Sequence, residues 1–417
     1  MIKELETKIN DINGPIEVKI EGQLQLHYKC GESFFIGKNC AKGIINITRP
    51  NVVIDGSAAD IKIDVEDSLN GDWSLFFIKA SASNVQLKNL TIRIFLRNQA
   101  HCARTFSAIY NTAFGLKMQN CHIEVYSEKQ TSIIGVFNNG NLDTTLETRA
   151  DNMVIENCHI KVECRSEEFP KEVKAIGLYN YLANSISMQN TFIYAIMKGC
   201  GERQQAIGVY TNGRYGRFVG NNIKANGTHN KGFEKEQAHV YGFVNEGPYS
   251  LISANNIVGE WAGQSIGLQN NAPYVEVSGN KILSTHTICG RSIRNLASNI
   301  IVTNNIITST SRNARMIETW GSTCVFSKNY METLLAEHML HSGCGIYAIG
   351  PLVENNIFTE NIIKFVYNCG IFVRKGAGVI ANNIVQSFTR TVDMETADNY
   401  MMLDKLDEKH IHSIYHE

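Results

Sequence analysis

The sequence predicts an all-β solenoid in which short parallel strands stack coil upon coil. One recurring phrase is an apolar strand interrupted by asparagine, as at residues 302–307 (VTNNII), and it returns along most of the 417 residues. The other is a glycine phrase, as at residues 176–180 (IGLYN), which lies between successive copies of the first. Such repetition is typical of stacked structural units, and short strands rich in Ile and Val favour parallel pairing.

The asparagine phrase also measures the length of each coil. Its last asparagine marks successive coils at Asn89, Asn120, Asn157, Asn190, Asn222, Asn256, Asn280, Asn305, Asn329, Asn356 and Asn383. The intervals are 31–37 residues in the first half and 24–27 in the second. Asparagine suits such a turn because it tolerates a left-handed backbone and its amide can bond to neighbouring coils. We expect the extra residues of the longer coils to form loops on one face, which is often the binding face.

This pattern resembles the right-handed parallel β-helix superfamily, the pectate-lyase-like fold, over about residues 50–390. We expect an N-terminal cap at residues 1–50, a parallel β-helix at 51–387 and a C-terminal cap or tail at 388–417. Residues 2–12 have the apolar spacing of an amphipathic helix. Caps of this kind close the exposed strand edges at the ends of a solenoid.

Composition argues against several classes of partner. The chain has 39 Lys and Arg against 40 Asp and Glu, a balance that does not favour nucleic acid. The sequence shows neither an apolar run long enough for a membrane span nor a leader-like N-terminus. Its 11 cysteines contain no CxxC pair and are typical of reduced thiols. We therefore expect a cytoplasmic protein, although a chain that had lost its leader would look the same.

In the glycine phrase, the residue just before the turn is predicted to point outward. Stacking would place these residues in one column: Tyr110, Phe137, Tyr179, Tyr210, Val244, Gln269, Arg294 and Glu318. Tyr179 and Tyr210 would pack against sugar rings, while Gln269 and Arg294 would bind polar or anionic groups. The alternative is that the stacked aromatic residues only stabilise the coils.

Glutamates recur before the glycine phrase, at Glu128, Glu172, Glu202, Glu236 and Glu260. Carboxylates on neighbouring coils would lie close enough to act as the acid and base or nucleophile of a glycosidase. We therefore take Glu236, Glu260 and Glu318 as candidate catalytic residues. The alternative for each glutamate is a solvated position on a variable loop.

Two tryptophans and one histidine extend this candidate site. Trp261 follows Glu260 and Trp320 follows Glu318 by two residues, so each indole is expected beside a carboxylate, to contact substrate or to cover the core. His239 lies next to the Glu236 loop and is a further substrate-binding candidate. The spacing of His338 and His341 does not form a zinc motif, so we expect no metal, with calcium as a possible ion if the protein is a lyase.

Residues 315–318 (RMIE), followed by Cys324 and Asn329, are similar to a coil of the inulin fructotransferases. Together with the superfamily resemblance, this similarity implies an enzyme that cleaves or rearranges glycosidic bonds of an oligosaccharide, with Arg315 among the sugar-binding residues. One alternative is a lyase that acts on uronic-acid sugars by β-elimination. The other is a non-catalytic β-helix used for carbohydrate binding or assembly, for example as a homotrimer that packs through one face.

Overall fold

A computed structural model of the chain describes residues 2–28, 42–65, 71–97, 103–128, 132–140, 150–166, 173–199, 204–228, 239–260, 264–285, 289–311, 313–334, 343–349, 354–366, 369–374, 377–387, 390–394 and 399–402. The residues group into two compact units, Met1–His239 and Val240–Glu417. Both units have the predicted architecture, a right-handed parallel β-helix. Among the described residues, no helix has the length and apolar character needed to cross a bilayer.

The first unit begins with helix α1 (Ile2–Asn10), which confirms the predicted amphipathic helix. Its strands are β1 (Glu17–Tyr28), β2 (Lys42–Ile47), β3 (Val53–Val65), β4 (Gly71–Ile78), β5 (Gln86–Lys88), β6 (Thr91–Leu96), β7 (Ala103–Asn111), β8 (Lys117–Gln119), β9 (His122–Ser127), β10 (Ser132–Asn139), β11 (Val154–Glu156), β12 (His159–Ser166), β13 (Val173–Tyr181), β14 (Ser187–Gln189), β15 (Phe192–Gly199), β16 (Gln204–Thr211), β17 (Arg217–Val219) and β18 (Asn222–Thr228). Parallel pairing already includes β1, whose Glu17 lies opposite Val53 of β3.

The second unit continues with parallel strands, and the first of them starts at His239, the last residue of the first unit. These strands are β19 (His239–Asn245), β20 (Leu251–Ser253), β21 (Asn256–Glu260), β22 (Gln264–Asn270), β23 (Glu276–Ser278), β24 (Lys281–Thr285), β25 (Cys289–Asn295), β26 (Ile301–Thr303), β27 (Ile306–Ser309), β28 (Asn313–Thr319), β29 (Val325–Ser327), β30 (Tyr330–Thr333), β31 (Cys344–Ala348), β32 (Asn356–Thr359), β33 (Ile362–Val366), β34 (Cys369–Val373), β35 (Ala377–Ala381), β36 (Ile384–Ser387), β37 (Arg390–Met394) and β38 (Asn399–Met402).

Each complete coil supplies three strands, and equivalent strands pair in parallel to give three sheets. In the coil that contains β23, β24 and β25, for example, each strand pairs with β26, β27 and β28 of the next coil, respectively. Apolar side chains from all three sheets fill the interior, where the largest include Phe106 and Phe218 in the first unit and Phe326 and Phe358 in the second. We call the sheet that contains β25 and β28 the third sheet.

A row of stacked asparagines lies inside the second unit, at the turn between the first and second strands of each coil. Asn305 donates from Nδ2 to Asn329 Oδ1 (2.9 Å) and accepts from Asn280 Nδ2 (3.0 Å). The residue before it, Asn304, has a left-handed backbone (φ 56°), as the phrase predicts. Since neighbouring amides satisfy one another, a polar row can stay buried without losing its hydrogen bonds.

The structure corrects part of the predicted coil spacing. Asn356 was wrong as a coil marker, because the row passes from Asn329 to Asn361 (Nδ2 to Oδ1, 3.0 Å). Six other markers are displaced from the row position by one residue. Asn222 and Asn256 follow it, whereas Asn89, Asn120, Asn157 and Asn190 precede it and have the left-handed backbone that Asn304 has. A one-residue shift matters because it moves a side chain from the interior to the surface.

A second polar row lies at the last residues of strands β22, β25 and β28 and fixes the direction of the residues before it. In the second unit Asn270 donates from Nδ2 to Asn295 Oδ1 (3.0 Å), and Asn295 donates to Thr319 Oγ1 (3.1 Å). These side chains are fully buried. The residue immediately before each of them therefore points to the outer face of the third sheet.

The glycine phrase is explained by the close approach of the third strand to the second sheet. A Cβ atom at Gly177 would lie 2.1 Å from Ile193 Cγ2 and 2.7 Å from the carbonyl oxygen of Gly208. Because no side chain fits in that space, glycine allows the two layers to approach closely.

Candidate ligand-binding site

The outer face of the third sheet carries the predicted column in both units. In the first unit the parallel register aligns Phe77, Tyr110, Phe137, Tyr179 and Tyr210. In the second unit it aligns Gln269, Arg294, Glu318, Tyr347, Phe372 and Asp393. The first unit thus carries the aromatic residues of the predicted column, and the second unit carries its polar and charged residues, followed by the aromatic residues Tyr347 and Phe372.

The aromatic column of the first unit is a continuous set of half-buried rings. Successive ring centroids lie 4.8–5.2 Å apart, with interplanar angles between 43° and 77°. Asn139 Nδ2 donates to the Tyr110 hydroxyl (2.6 Å). Tilted rings at this spacing stabilise each other, and partly exposed rings can also contact a ligand. The roles of Tyr179 and Tyr210 as sugar contacts therefore stay predictions.

In the second unit, three arginines surround the carboxylate of Glu318. Arg291 Nε lies 2.6 Å from Oε2, Arg315 Nη1 lies 2.7 Å from Oε2, and Arg294 Nε lies 3.4 Å from Oε1. Trp320 Nε1 donates to Oε1 at 3.1 Å. We call these five residues the arginine cluster. Its carboxylate is only 1% exposed, although Glu318 points outward, because the arginines and the indole cover it.

The arginines on strands β25 and β28 come together because the inward–outward alternation is interrupted in both strands. Arg291 and Arg294 are three residues apart and both point outward, since Ser292 and Ile293 between them are fully buried. Arg315 and Glu318 have the same arrangement on the next coil, where Arg315 lies opposite Arg291. Two neighbouring coils thus place four charged groups on one small area of surface.

The charge state of Glu318 follows from these contacts. Burial raises its pKa, but Arg291, with help from the hydrogen bonds of Arg315 and Trp320, lowers it more strongly, to about 2. Glu318 is therefore ionised at neutral pH, and a group of that pKa holds no proton to donate as a general acid. The geometry favours a structural anion that fixes the three guanidinium groups.

The cluster keeps unused binding capacity. Three guanidinium groups face one carboxylate, so two positive charges remain, and the three side chains are still 17–35% exposed. Arg294 Nε is buried and has no hydrogen-bond partner among the described residues. Arg294 Nη1 lies 3.5 Å from Gln269 Oε1, and Arg315 packs on the ring of Tyr347 at 4.1 Å. Guanidinium groups held in this way can bind an anion with little loss of side-chain freedom.

Three residues in or around the arginine cluster were not identified from the sequence. Arg291 and Tyr347 belong to it by the contacts above. Burial raises the pKa of Tyr241, while the positive charges of Arg294 and Arg291 partly offset that effect, so its hydroxyl also lies within their field. The available signal was the spacing: Arg291 precedes Arg294 by the same three residues that separate Arg315 from Glu318.

The predicted pairing of carboxylates is not formed by the described residues. In the following coil Glu260 lies opposite Thr285, and Glu318 lies between Arg294 and Tyr347. Glu236, Trp261 and the side chain of His239 lie outside the described part of the chain. Of the predicted site residues, the structure thus brings together Gln269, Arg294, Arg315, Glu318 and Trp320.

Within the described ranges, no three His, Cys, Asp or Glu side chains are grouped so that they could hold a metal ion. The expectation of no cofactor, with calcium only for a lyase, stays a prediction.

Comparison with known proteins gives neighbours of low similarity. No protein-family model matches the sequence, and no curated protein does. One similar solved structure is the A-module of mannuronan C-5 epimerase AlgE6 of Azotobacter vinelandii, with 11% identity, a TM-score of 0.32, and coverage of 80% of this chain and 91% of that one. At such values, function has to be derived from the residues of this chain.

The names of two further neighbours describe other kinds of protein. The Dettilon tailspike protein is 13% identical, with a TM-score of 0.35 and coverage of 82% of this chain and 62% of that one. The adhesin PfbA of Streptococcus pneumoniae is 8% identical, with a TM-score of 0.33 and coverage of 96% and 87%. The similarity to inulin fructotransferases stays a prediction.

Proposed function

We propose that this protein binds an acidic oligosaccharide at the arginine cluster on the third sheet of its second unit. The observation that carries the proposal is the excess of two positive charges on guanidinium groups that Glu318 holds in place. Guanidinium groups form paired hydrogen bonds with the planar carboxylate of a uronic acid or with a sulfate ester. The exposed face of Trp320 lies beside them and suits the C–H face of a sugar ring.

Among the reactions expected from the sequence, β-elimination on a uronic-acid sugar suits this cluster better than hydrolysis. Arginines at a sugar carboxylate stabilise the negative charge that develops when the adjacent carbon loses its proton. Hydrolysis by paired carboxylates would need a second carboxylate beside Glu260 or Glu318, and the remaining candidate, Glu236, lies outside the described residues. A homotrimer that packs through one face is a separate proposal, tested by mass measurement in solution.

Calorimetric titration with matched acidic and neutral oligosaccharides tests the binding proposal. Wild type should bind the acidic set and lose affinity as NaCl rises from about 50 to 200 mM, because salt screens the charges. Arg294→Met should weaken binding at least about tenfold, since it removes one of the three positive charges and the planar donor group of the guanidinium. Arg93→Met is the matched control, because Arg93 pairs with Asp60 at 2.7 Å in the first unit.

Equal affinity for neutral and acidic oligosaccharides, or unchanged binding by Arg294→Met, would contradict the proposed function. The same mixtures, followed by ultraviolet absorbance, show whether an unsaturated product forms. A signal abolished in Arg294→Met would support the lyase, whereas binding without any product would support the non-catalytic alternative.

A further inference from the structure

The turns that follow the third strands of the second unit carry an unusual set of exposed side chains. Tyr249 and Tyr274 lie at the same position of two successive turns, and Leu296 and Trp320 lie three residues earlier in the next two turns; we call these four residues the turn strip. Tyr249 is 48% exposed, Tyr274 54% and Trp320 40%, and Leu296 is exposed as well. Coils stack about 4.8 Å apart, so the strip is about 14 Å long.

The two tyrosines have a backbone conformation that their residue type disfavours. Tyr249 has φ 61° and Tyr274 has φ 58°, both in the left-handed region. Hydrogen bonds between successive turns show that Asn299 occupies the same position one coil after Tyr274, and it has φ 59°. Asparagine tolerates this conformation better than an aromatic residue does. The fold therefore has no need of tyrosine at this position.

The rings of Tyr249 and Tyr274 form a rigid pair. Their centroids are 5.1 Å apart and their planes differ by 4°. Stacking recovers part of the backbone cost, but the pair still leaves about half of each side chain in solvent. Two tyrosines in a strained backbone and in an ordered, exposed arrangement are a signature of a binding surface.

The turn strip adjoins the arginine cluster through Trp320. Trp320 belongs to both, and its backbone N–H donates to the carbonyl of Asn295, immediately before Leu296 (2.9 Å). Tyr274 lies five residues after Gln269, which contacts Arg294. A chain molecule held by its acidic group at the arginines can therefore extend over the apolar side chains of the strip.

We propose that the turn strip binds further sugar rings of the ligand, so that the site accepts an acidic oligosaccharide of several residues. This inference rests on the proposed function of the arginine cluster. Phenol and indole rings offer apolar surface to sugar C–H groups and a hydroxyl or N–H to sugar hydroxyls, at small cost in side-chain freedom. The arginines would select the charge of the ligand, and the strip would select its length.

The test replaces both tyrosines by the asparagine that the equivalent turn uses. Tyr249→Asn/Tyr274→Asn should have a Tm equal to or above that of wild type, because asparagine relieves the backbone strain. The double variant should bind an acidic hexasaccharide about tenfold more weakly than wild type and an acidic disaccharide equally well. Leu182→Asn is the matched control, since Leu182 is an exposed turn residue of the first unit with φ 56°, and its binding should stay unchanged.

The possible outcomes distinguish the role of the turn strip from the role of the arginine cluster. If wild type binds acidic oligosaccharides and the double variant binds the hexasaccharide equally well, the turn strip is not a binding surface while the arginine cluster is. If the double variant loses several degrees of Tm, the stacked rings serve stability and the inference is overturned. If wild type binds no acidic oligosaccharide, both proposals fall together.

Discussion

Replacing Glu318 by glutamine removes the only negative charge of the arginine cluster and tests its role directly. The pKa of this carboxyl falls from an ordinary 4.5 to about 2 on folding. A lowered pKa contributes stability that is present above the unfolded value and is lost as the pH falls through the folded value. The shift corresponds to about 3 kcal/mol at pH 7, falling to about 1 kcal/mol at pH 3.

Glu318→Gln should therefore lower the free energy of unfolding by about 3 kcal/mol at pH 7, in line with the usual cost of removing one partner from a buried ion pair. The measurement is urea denaturation of wild type and variant at pH 7 and pH 3. The difference between the two proteins should shrink at the lower pH, because unfolded wild type is then protonated at Glu318 while the folded carboxyl, with its pKa of about 2, stays mostly ionised. Glu124→Gln, which removes an exposed partner of Arg93, is the control and should cost less than about 1 kcal/mol.

Two results would refute this reasoning. If Glu318→Gln were as stable as wild type at pH 7, the carboxylate would not be holding the arginines together. If the stability difference were the same at pH 7 and pH 3, it would come from packing and not from charge.

Asn305→Ala should destabilise by about 2–4 kcal/mol in urea denaturation, because it removes both amide hydrogen bonds of the row at this position and leaves the buried backbone N–H of Asn280 without its acceptor. A cost below about 1 kcal/mol would contradict the importance of the row. Gly177→Ala should prevent folding to the native circular dichroism spectrum. Gly279→Asn should be tolerated, since the Cβ position of Gly279 is open and its φ of 64° suits asparagine. If Gly279→Asn disrupted the spectrum and Gly177→Ala did not, the close-approach explanation would be disproved. Arg315→Lys should weaken binding of acidic oligosaccharides in calorimetry, because lysine loses the planar contact with Tyr347; unchanged affinity would exclude that contact from ligand binding.

The fold and the outward column could be predicted because both depend on periodicity alone. A strand that repeats in register places equivalent residues opposite each other, so Arg294 and Glu318 were expected as neighbours, and the structure pairs them. The register itself was less certain. The Asn356 marker failed because the phrase at residues 354–357 (ENNI) has the same residue types as a true row position and lies one strand earlier.

The chemical role of Glu318 could not be predicted from the sequence. Simple alternation along a strand places residues an even number apart on one face, and Arg291 is three residues from Arg294. Both point outward because Ser292 and Ile293 between them are both buried, and simple alternation does not predict two consecutive buried residues. Without Arg291, Glu318 had the pattern of a free carboxylate and was a reasonable candidate for catalysis; with three arginines its environment favours a permanent anion.

The asparagine row stabilises the interior of the coils, whereas the outward-facing residues determine which groups the surface can bind. Asn280 and Asn305 hold equivalent positions and are 25 residues apart, so excision of residues 280–304 would join two matching ends of the row. The shortened chain would retain a continuous core, while Gln269 would become the neighbour of Glu318 and the arginines at 291 and 294 would be lost. The length and charge pattern of such a surface can thus be changed by removing one coil at a time, without interrupting the core.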